Sequence, residues 1–427
     1  RTVALALAGA GLVGVMAPVA GAQGSAEPLR VTVTGAPDAA GAADAQAVRK
    51  GVDTKALNAA VRGMVNPGGA SATLARVSER GRSLWQGAAG TADFATGAKA
   101  TPDGLFRIGS VTKTFVSTVT LQLVAEGRLG LDDRVENLLP GVLPNGRDIT
   151  LRQLLNHTSG VFNYTEDPSF SFDRTPEATQ DWLDTGRWRP WSPQQLIDLA
   201  NTHPAYFAPG QGWHYSNTNY VVVGQIIERV TGRSWAQEVE RRIIRPLGLT
   251  GTSMPIHSTT IPGPHAHGYF DLPTGPADTT ELDPSMAGAS GAGISTTADL
   301  TTFITALVGG RLLPRPLLAE MMRITPESGA DQYGLGLQRS STPCGQFWGH
   351  AGGIPGYNTF VYTDSDNRRQ FVASVNAYDM SNLPATNAAF HTLIDTGVCG
   401  GPPPATASAP ATAPGASAPS RSAGPLG

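Results

Sequence analysis

Apolar positions along this chain change period three times. Between Lys55 and Val61 they recur at helical spacing, after which Ser71–Val77 and Ser83–Gly87 alternate as two strands joined by a turn at Arg80-Gly81. From Phe115 through Val116, Val119, Leu123 and Val124 the spacing is that of a buried helix, with Gly109-Ser110 at its start and Gly127 at its end. A long helical, loop-rich stretch follows. It predicts a short helix over Ile149–Leu155 entered from Thr150 and a buried helix from Tyr220 to Ile227. Two more are predicted, one from Trp235 to Ile244 stopped at Pro246, the other reaching Leu307 with Thr297 as N-cap. The aromatic stretch Phe162–Trp191, holding Phe170, Phe172, Trp182, Trp188 and Trp191, reads either as the roof of a cleft or as cover for a core. Then the period becomes two: Tyr333–Gln338, Phe347–His350, Tyr357–Tyr362 and Gln370–Val375 predict four strands, and Met380–Thr396 a closing helix. The links between these strands are short enough for antiparallel pairing. Strands at both ends of a helical middle make an α+β fold. Its antiparallel sheet, from about 51–109 and 330–400, is flanked by helices beside a mostly helical part, about 110–329.

Length adds that 427 residues can bury a large core. A formal net charge of -3 argues against a nucleic-acid partner and leaves a small or peptidic substrate. At the start, Arg1 precedes an apolar stretch ending in Ala20-Gly21-Ala22, which reads as a secretory signal over 1–22 cleaved before Gln23. Residues 23–50, rich in Ala, Gly and Asp, read as a flexible lead-in to a folded domain over 51–400. The Pro, Ala and Ser of 401–427 read as a disordered tail. The expectation is an exported protein, without stable membrane insertion once the signal is removed, and a monomer. Two cysteines, Cys344 and Cys399, remain for an oxidising compartment, which favours joining them and tying the last helix to a strand; two buried thiols are the alternative.

The candidate chemistry begins at Ser110. Lys113 lies one helical turn on, so its amine can reach the hydroxyl, and a lysine kept neutral by burial can serve as the base a serine nucleophile needs. The chain has only four lysines, Lys50, Lys55, Lys99 and Lys113, so this spacing is not a by-product of lysine abundance; helix capping by Ser110 and a solvated Lys113 form the plain alternative. Tyr215 and Asn217 alternate in an extended turn before the Tyr220 helix and offer a phenol for proton transfer and a carboxamide for a substrate amide, helix-entry packing being the alternative. His157, at the end of the Ile149–Leu155 helix, reads as a cap for helix carbonyls more readily than as a base.

Three ordered elements, Ser110-x-x-Lys113, Tyr215-x-Asn217 and His350-Ala351-Gly352, give 52–400 a resemblance to the serine penicillin-recognising family, which contains class C β-lactamases and D-alanyl-D-alanine carboxypeptidases. Leu155-Asn156-His157-Thr158-Ser159-Gly160, Arg245-Pro246-Leu247-Gly248-Leu249 and Gly349-His350-Ala351-Gly352-Gly353 support it. His-x-Gly in the third element, Phe106–Lys113, and the placement of Cys344 and Cys399 are similar to the secreted streptomycete-type D,D-carboxypeptidases. The resemblance implies a β-lactamase/D,D-peptidase-like fold and a D,D-peptidase acting on peptidoglycan stem peptides and acylated by β-lactams, with no cofactor and no metal. It implies Ser110 as nucleophile, Lys113 and Tyr215 sharing the proton, Asn217 binding the substrate amide, His350 in place of a strand cation, and an oxyanion hole from the N–H groups of Ser110 and Gly353. Two positions depart from the carboxypeptidase pattern. Ala351 replaces a Thr and Gln338 an Arg, both used there to hold a terminal carboxylate, while Arg339 should face the opposite side of its strand. An esterase, a D-amino-acid amidase or aminopeptidase, a β-lactamase, and a non-catalytic cell-wall binding protein are the alternatives on the same fold.

Overall fold

In the computed structural model the described residues are 51–170, 176–342, 344–378 and 381–400, so the expected leader, lead-in and tail, and Phe172, lie outside them. Eleven strands are present among these residues. They are β1 (Ala70–Glu79), β2 (Arg82–Asp93), β3 (Ala98–Lys99), β4 (Phe106–Arg107), β5 (Tyr269–Leu272), β6 (Gly275–Asp278), β7 (Ile294–Ser295), β8 (Gln338–Thr342), β9 (Gly345–Ile354), β10 (Tyr357–Asp364) and β11 (Arg369–Ala377). Seven of them form one antiparallel sheet in the order β3-β2-β1-β11-β10-β9-β8. The first and last of the described strands meet near its centre, where β1 pairs with β11 with Leu74 opposite Ser374.

Side chains alternate across this sheet and divide the core in two. Ala75, Val77, Phe371 and Ala373 face the helices Thr54–Met64 and Leu383–Cys399, against Leu57, Val61, Phe390 and Leu393. Ala72, Leu74, Val361 and Val372 face the other way, into the larger core with the serine helix Thr112–Ala125 and the helix Thr297–Val308. There Phe115 and Phe303 stack with ring centroids 3.6 Å apart. The serine helix is buried on nearly every side, and its hydroxyls bond inward: Thr114 Oγ1 donates to Gly336 O at 2.8 Å, and Thr118 Oγ1 to Thr114 O at 2.7 Å.

Several local expectations are corrected. Tyr333–Gln338 is a folded turn and not a strand, with β8 starting only at Gln338; Gly336 adopts φ +71°, and a Cβ there would lie 2.1 Å from Ser117 Oγ, so the turn is pressed onto the serine helix. The Trp235 helix does not stop at Pro246. A π-helical turn, Glu240–Ile244, carries it into Arg245–Leu247. The N-cap of the Thr297–Val308 helix is Thr296, whose hydroxyl accepts from Asp299 N. The closing helix runs Leu383–Cys399. Cys344 sits in the turn between β8 and β9 and is bonded to Cys399, so the bond ties the last helix to a hairpin turn of the sheet and not to a strand proper. Of the aromatic stretch, Tyr164, Phe170 and Trp182 belong to the core, whereas Trp188 is exposed. No helix of the described residues is long and apolar enough to cross a membrane.

Candidate active site

Ser110 occupies a 3-10 turn, Gly109–Val111, that feeds the serine helix and abuts β9. Two glycines permit the approach. Gly109 has φ +49° and a Cβ there would stand 2.7–2.9 Å from the backbone of Gly353, while a Cβ at Gly352 would lie 2.0 Å from Ile108 O and 2.8 Å from Ser110 N. β8 pairs with β9 only as far as Gln338 opposite Gly349, leaving the rest of that edge without a strand partner. Ala351 N–H points to the open side, where Gln338 Oε1 accepts it at 3.3 Å, and the two-residue alternation of a strand turns Gly353 N–H the same way. This places the backbone of Gly353 against the Ser110 turn, the pair expected to supply the oxyanion-hole amides.

Lys113 is fully buried, and burial holds its amine well below the usual lysine range. Its Nζ lies 2.6 Å from Asn217 Oδ1, 2.8 Å from Ser290 O and 3.0 Å from Ser110 Oγ. The carbonyl oxygens of Asn217 and Ser290 can only accept, so two N–H groups of the amine go to them; with the amine in its neutral form, its lone pair would be left for the Ser110 O–H. Asn217 is the first residue of the helix Asn217–Thr231 instead of part of an extended turn, and its Nδ2 donates to Thr165 Oγ1 at 3.2 Å. Its carboxamide is therefore engaged at both ends, and a substrate amide would share Oδ1 with Lys113.

Tyr215 is buried, with the Lys113 amine 4.7 Å from its ring centroid. Burial raises its phenol well above the usual range, an effect that hydrogen bonding to Ser110 opposes, so it stays protonated near neutral pH. His157 does not cap helix carbonyls: Asn156 closes the Leu151–Leu155 helix, and His157 adopts φ +65° with its ring stacked on Tyr215, centroids 4.2 Å apart.

His350 on β9 carries no charge. Its Nδ1 lies against Ala351 O, which can only accept, so Nδ1 holds the proton and Nε2 accepts from Tyr333 Oη at 2.9 Å. Burial pushes its pKa down to about 3. Arg339 donates to Gln332 Oε1, with its guanidinium 5.9 Å from the Trp348 ring. Ala351, Gly352 and Gly353 line the edge with backbone only, and Gln338 is tied to Ala351 N.

Sequence reasoning missed the segment Asn163–Asp167. Asn163 Oδ1 accepts from Asn217 N at 3.0 Å, and Asn163 Nδ2 donates to Glu166 Oε1 at 3.1 Å. Glu166 Oε2 accepts from Tyr206 Oη at 2.6 Å, yet the side chain is 36% exposed. An Asn and a Glu in an aromatic loop leave no periodic signal, and only the fold brings them beside Asn217.

A serine hydroxyl, a buried amine and a phenol meet here, an arrangement suited to serine acyl transfer. Residues 55–393 match the Beta-lactamase family model, and the chain belongs to that family, the serine hydrolases that include the penicillin-binding proteins. It is 28% identical to "Penicillin-binding protein 4*" of Bacillus subtilis over 69% of this chain and 66% of that protein. It is 35% identical to "Esterase EstB" of Burkholderia gladioli over 41% of this chain and 45% of that one. The matched stretches thus span about half to two thirds of these relatives' lengths. Among solved structures, a D-stereospecific amidohydrolase from Streptomyces sp. superposes with TM-score 0.72 at 39% identity, covering 82% of this chain and 99% of that chain. D-amino acid amidase from Ochrobactrum anthropi SV3, complexed with D-phenylalanine, gives TM-score 0.69 at 27% identity, covering 80% and 98%.

Proposed function

We propose that the protein hydrolyses amides of small D-configured aminoacyl substrates through an acyl-enzyme on Ser110. The observation that carries this reading is the strand edge. Ala351 offers no hydroxyl, His350 is neutral and engaged, Gln338 is tied to the strand, and Arg339 is bound to Gln332. A terminal carboxylate would leave water without a charged partner from any of them, losing about 1.5–3 kcal/mol for each charge-assisted hydrogen bond. An amide or ester carries no such group. The D-configuration follows from the likeness to the Streptomyces amidohydrolase and the Ochrobactrum amidase. Glu166 adds a carboxylate one residue from Thr165, the partner of Asn217, and so suits the free ammonium of an aminoacyl substrate.

In the proposed reaction the Ser110 O–H gives its proton to Lys113 Nζ as Oγ bonds to the carbonyl carbon. The carbonyl π pair moves onto oxygen, facing the Ser110 and Gly353 amides. Collapse breaks the C–N bond, and the leaving nitrogen takes a proton from Lys113 through the Tyr215 phenol. Water then cleaves the ester by the same route, returning the proton to Ser110. Export to the cell surface is part of the proposal, resting on the apolar stretch ending at Ala22 and on the Cys344–Cys399 disulfide.

The test is a panel of D- and L-alaninamide, D-phenylalaninamide, p-nitrophenyl acetate and an acyl-D-Ala-D-Ala peptide. The D-amides should exceed the peptide in kcat/KM by about tenfold or more, as loss of one charge-assisted bond requires. A preference for the free-carboxylate peptide would return the function to a D,D-carboxypeptidase, the second reading, which the His350-Ala351-Gly352 element keeps in view.

A further inference from the structure

His157 takes no part in the proton path above, yet it is fully buried, and it touches the segment carrying Tyr215 at three points. Its backbone carbonyl accepts from His214 N at 3.1 Å. Its Nδ1 accepts from Ser216 N at 3.1 Å, and from Asn219 Nδ2 at 3.2 Å. Its ring covers the Tyr215 ring at 4.2 Å and 28° and meets the Tyr333 ring edge-on at 4.8 Å. One residue therefore fixes the backbone amide on each side of Tyr215 and one face of the phenol between them. Two acceptor bonds at Nδ1 place the ring proton on Nε2.

The surroundings are built to hold His157 in turn. The Leu155–Gly160 stretch turns on Asn156, whose Oδ1 accepts from Thr158 N and Oγ1, and the His157 backbone sits in the left-handed region, φ +65°. Ser159 Oγ donates to Asn219 Oδ1 at 2.7 Å, orienting that amide so that its nitrogen faces His157. Backbone strain of this kind survives only where neighbours over-determine it.

We infer that His157 is the positioning residue for Tyr215: a neutral imidazole that clamps the His214–Ser216 backbone and stacks on the phenol, aiming its hydroxyl at Ser110. The inference rests on the proposed role of Tyr215. It gives His157 a function distinct from that of a base, since its Nδ1 lone pair is already committed to Ser216 and Asn219. A misplacement of about 1 Å in a proton-transfer group costs on the order of 100-fold in rate.

Acylation by p-nitrophenyl acetate, followed as a pre-steady-state burst, reads this directly in the parent protein and in a Tyr215→Phe background. His157→Asn keeps an acceptor near Nδ1 and tolerates the left-handed backbone but removes the ring; His157→Leu removes both ring and acceptor. In the parent background we expect His157→Asn to lower the acylation rate about tenfold and His157→Leu about 100-fold, with the pH midpoint of acylation unmoved. In the Tyr215→Phe background both losses should shrink to within about twofold, because nothing remains to aim. Equal losses in the two backgrounds, or rates within twofold of the parent for either folded variant, overturn the inference. Should His157→Leu fail to fold, His157→Asn carries the same cycle. If Tyr215→Phe alone acylates normally, the role given to Tyr215 fails instead, and the two failures are told apart.

Discussion

At the scale of the residue, the function of this protein rests on how far each group is removed from water. Lys113 is the clearest case. Its folded-state pKa lies well below the 10.5 of a free lysine, so between those two values the unfolded chain binds the extra proton and wild-type stability rises with pH. Lys113→Met has no such group. The stability of the variant minus that of wild type should therefore shrink as pH rises toward 10.5, by up to about 1.4 kcal/mol per unit. Urea titrations at several pH values measure it, and a pH-independent difference would mean that Lys113 is charged in the folded protein. Glu166→Gln should raise KM for D-alaninamide about tenfold by removing a charge partner of the ammonium, while leaving p-nitrophenyl acetate, which has no amine, nearly unaffected. A shift shared by both substrates would count against ammonium recognition. Installing a cation and a hydroxyl with Gln338→Arg plus Ala351→Thr should raise kcat/KM for an acyl-D-Ala-D-Ala peptide by about 10- to 100-fold, if one or two charge-assisted bonds are gained. No gain would show that the carboxylate is held elsewhere.

At the scale of the element, the contact between the serine turn and β9 decides whether the amides converge. Gly352→Ala would place a methyl 2.0 Å from Ile108 O, a contact with rigid backbone that only displacement of the turn relieves. Expected outcomes are destabilisation of about 1–3 kcal/mol and loss of covalent labelling of Ser110 by a fluorescent penicillin. Undiminished labelling would mean that the turn can shift without losing the hole. Elements also mark the limits of sequence reading. Alternation of Tyr333, Leu335 and Leu337 mimics a strand, but three apolar residues can as well be buried from a turn when a positive-φ glycine such as Gly336 lets it fold back on a helix. The stop expected at Pro246 failed for a different reason. A π-helical turn precedes the proline, and Pro246 lies in the first turn of the short helix after it, where its missing N–H is tolerated.

At the scale of the whole molecule, the sheet is closed by strands nearly 300 residues apart, and the helical middle is held between them. The Cys344–Cys399 disulfide reinforces that closure at the β8–β9 turn, near one end of the strand that lines the site. With its cysteines 55 positions apart, the bond should contribute about 4 kcal/mol by the chain-entropy account. Replacing both cysteines with alanine and comparing denaturation midpoints measures this contribution. An unchanged midpoint would place the constraint elsewhere, in the packing of Phe390 and Leu393 against Phe371.

The sequence by itself determined what depends on neighbours in the chain. Ser110 and Lys113 lie one turn apart, so a helix there already brings hydroxyl and amine together, as the 3.0 Å separation bears out. The strand alternation of β1, β2, β10 and β11 and the hydroxyl cap at Thr150 were legible for the same reason. Tertiary structure alone decided what depends on distant segments meeting. It set the pairing of β1 with β11, the use of the Asn217 carboxamide on Lys113, the position of Glu166 beside Asn217, and the seat of His157 on Tyr215. The physical reason is that burial, which lowers the pKa of Lys113 and of His350 and keeps Tyr215 protonated, belongs to the packed molecule and to no stretch of the chain.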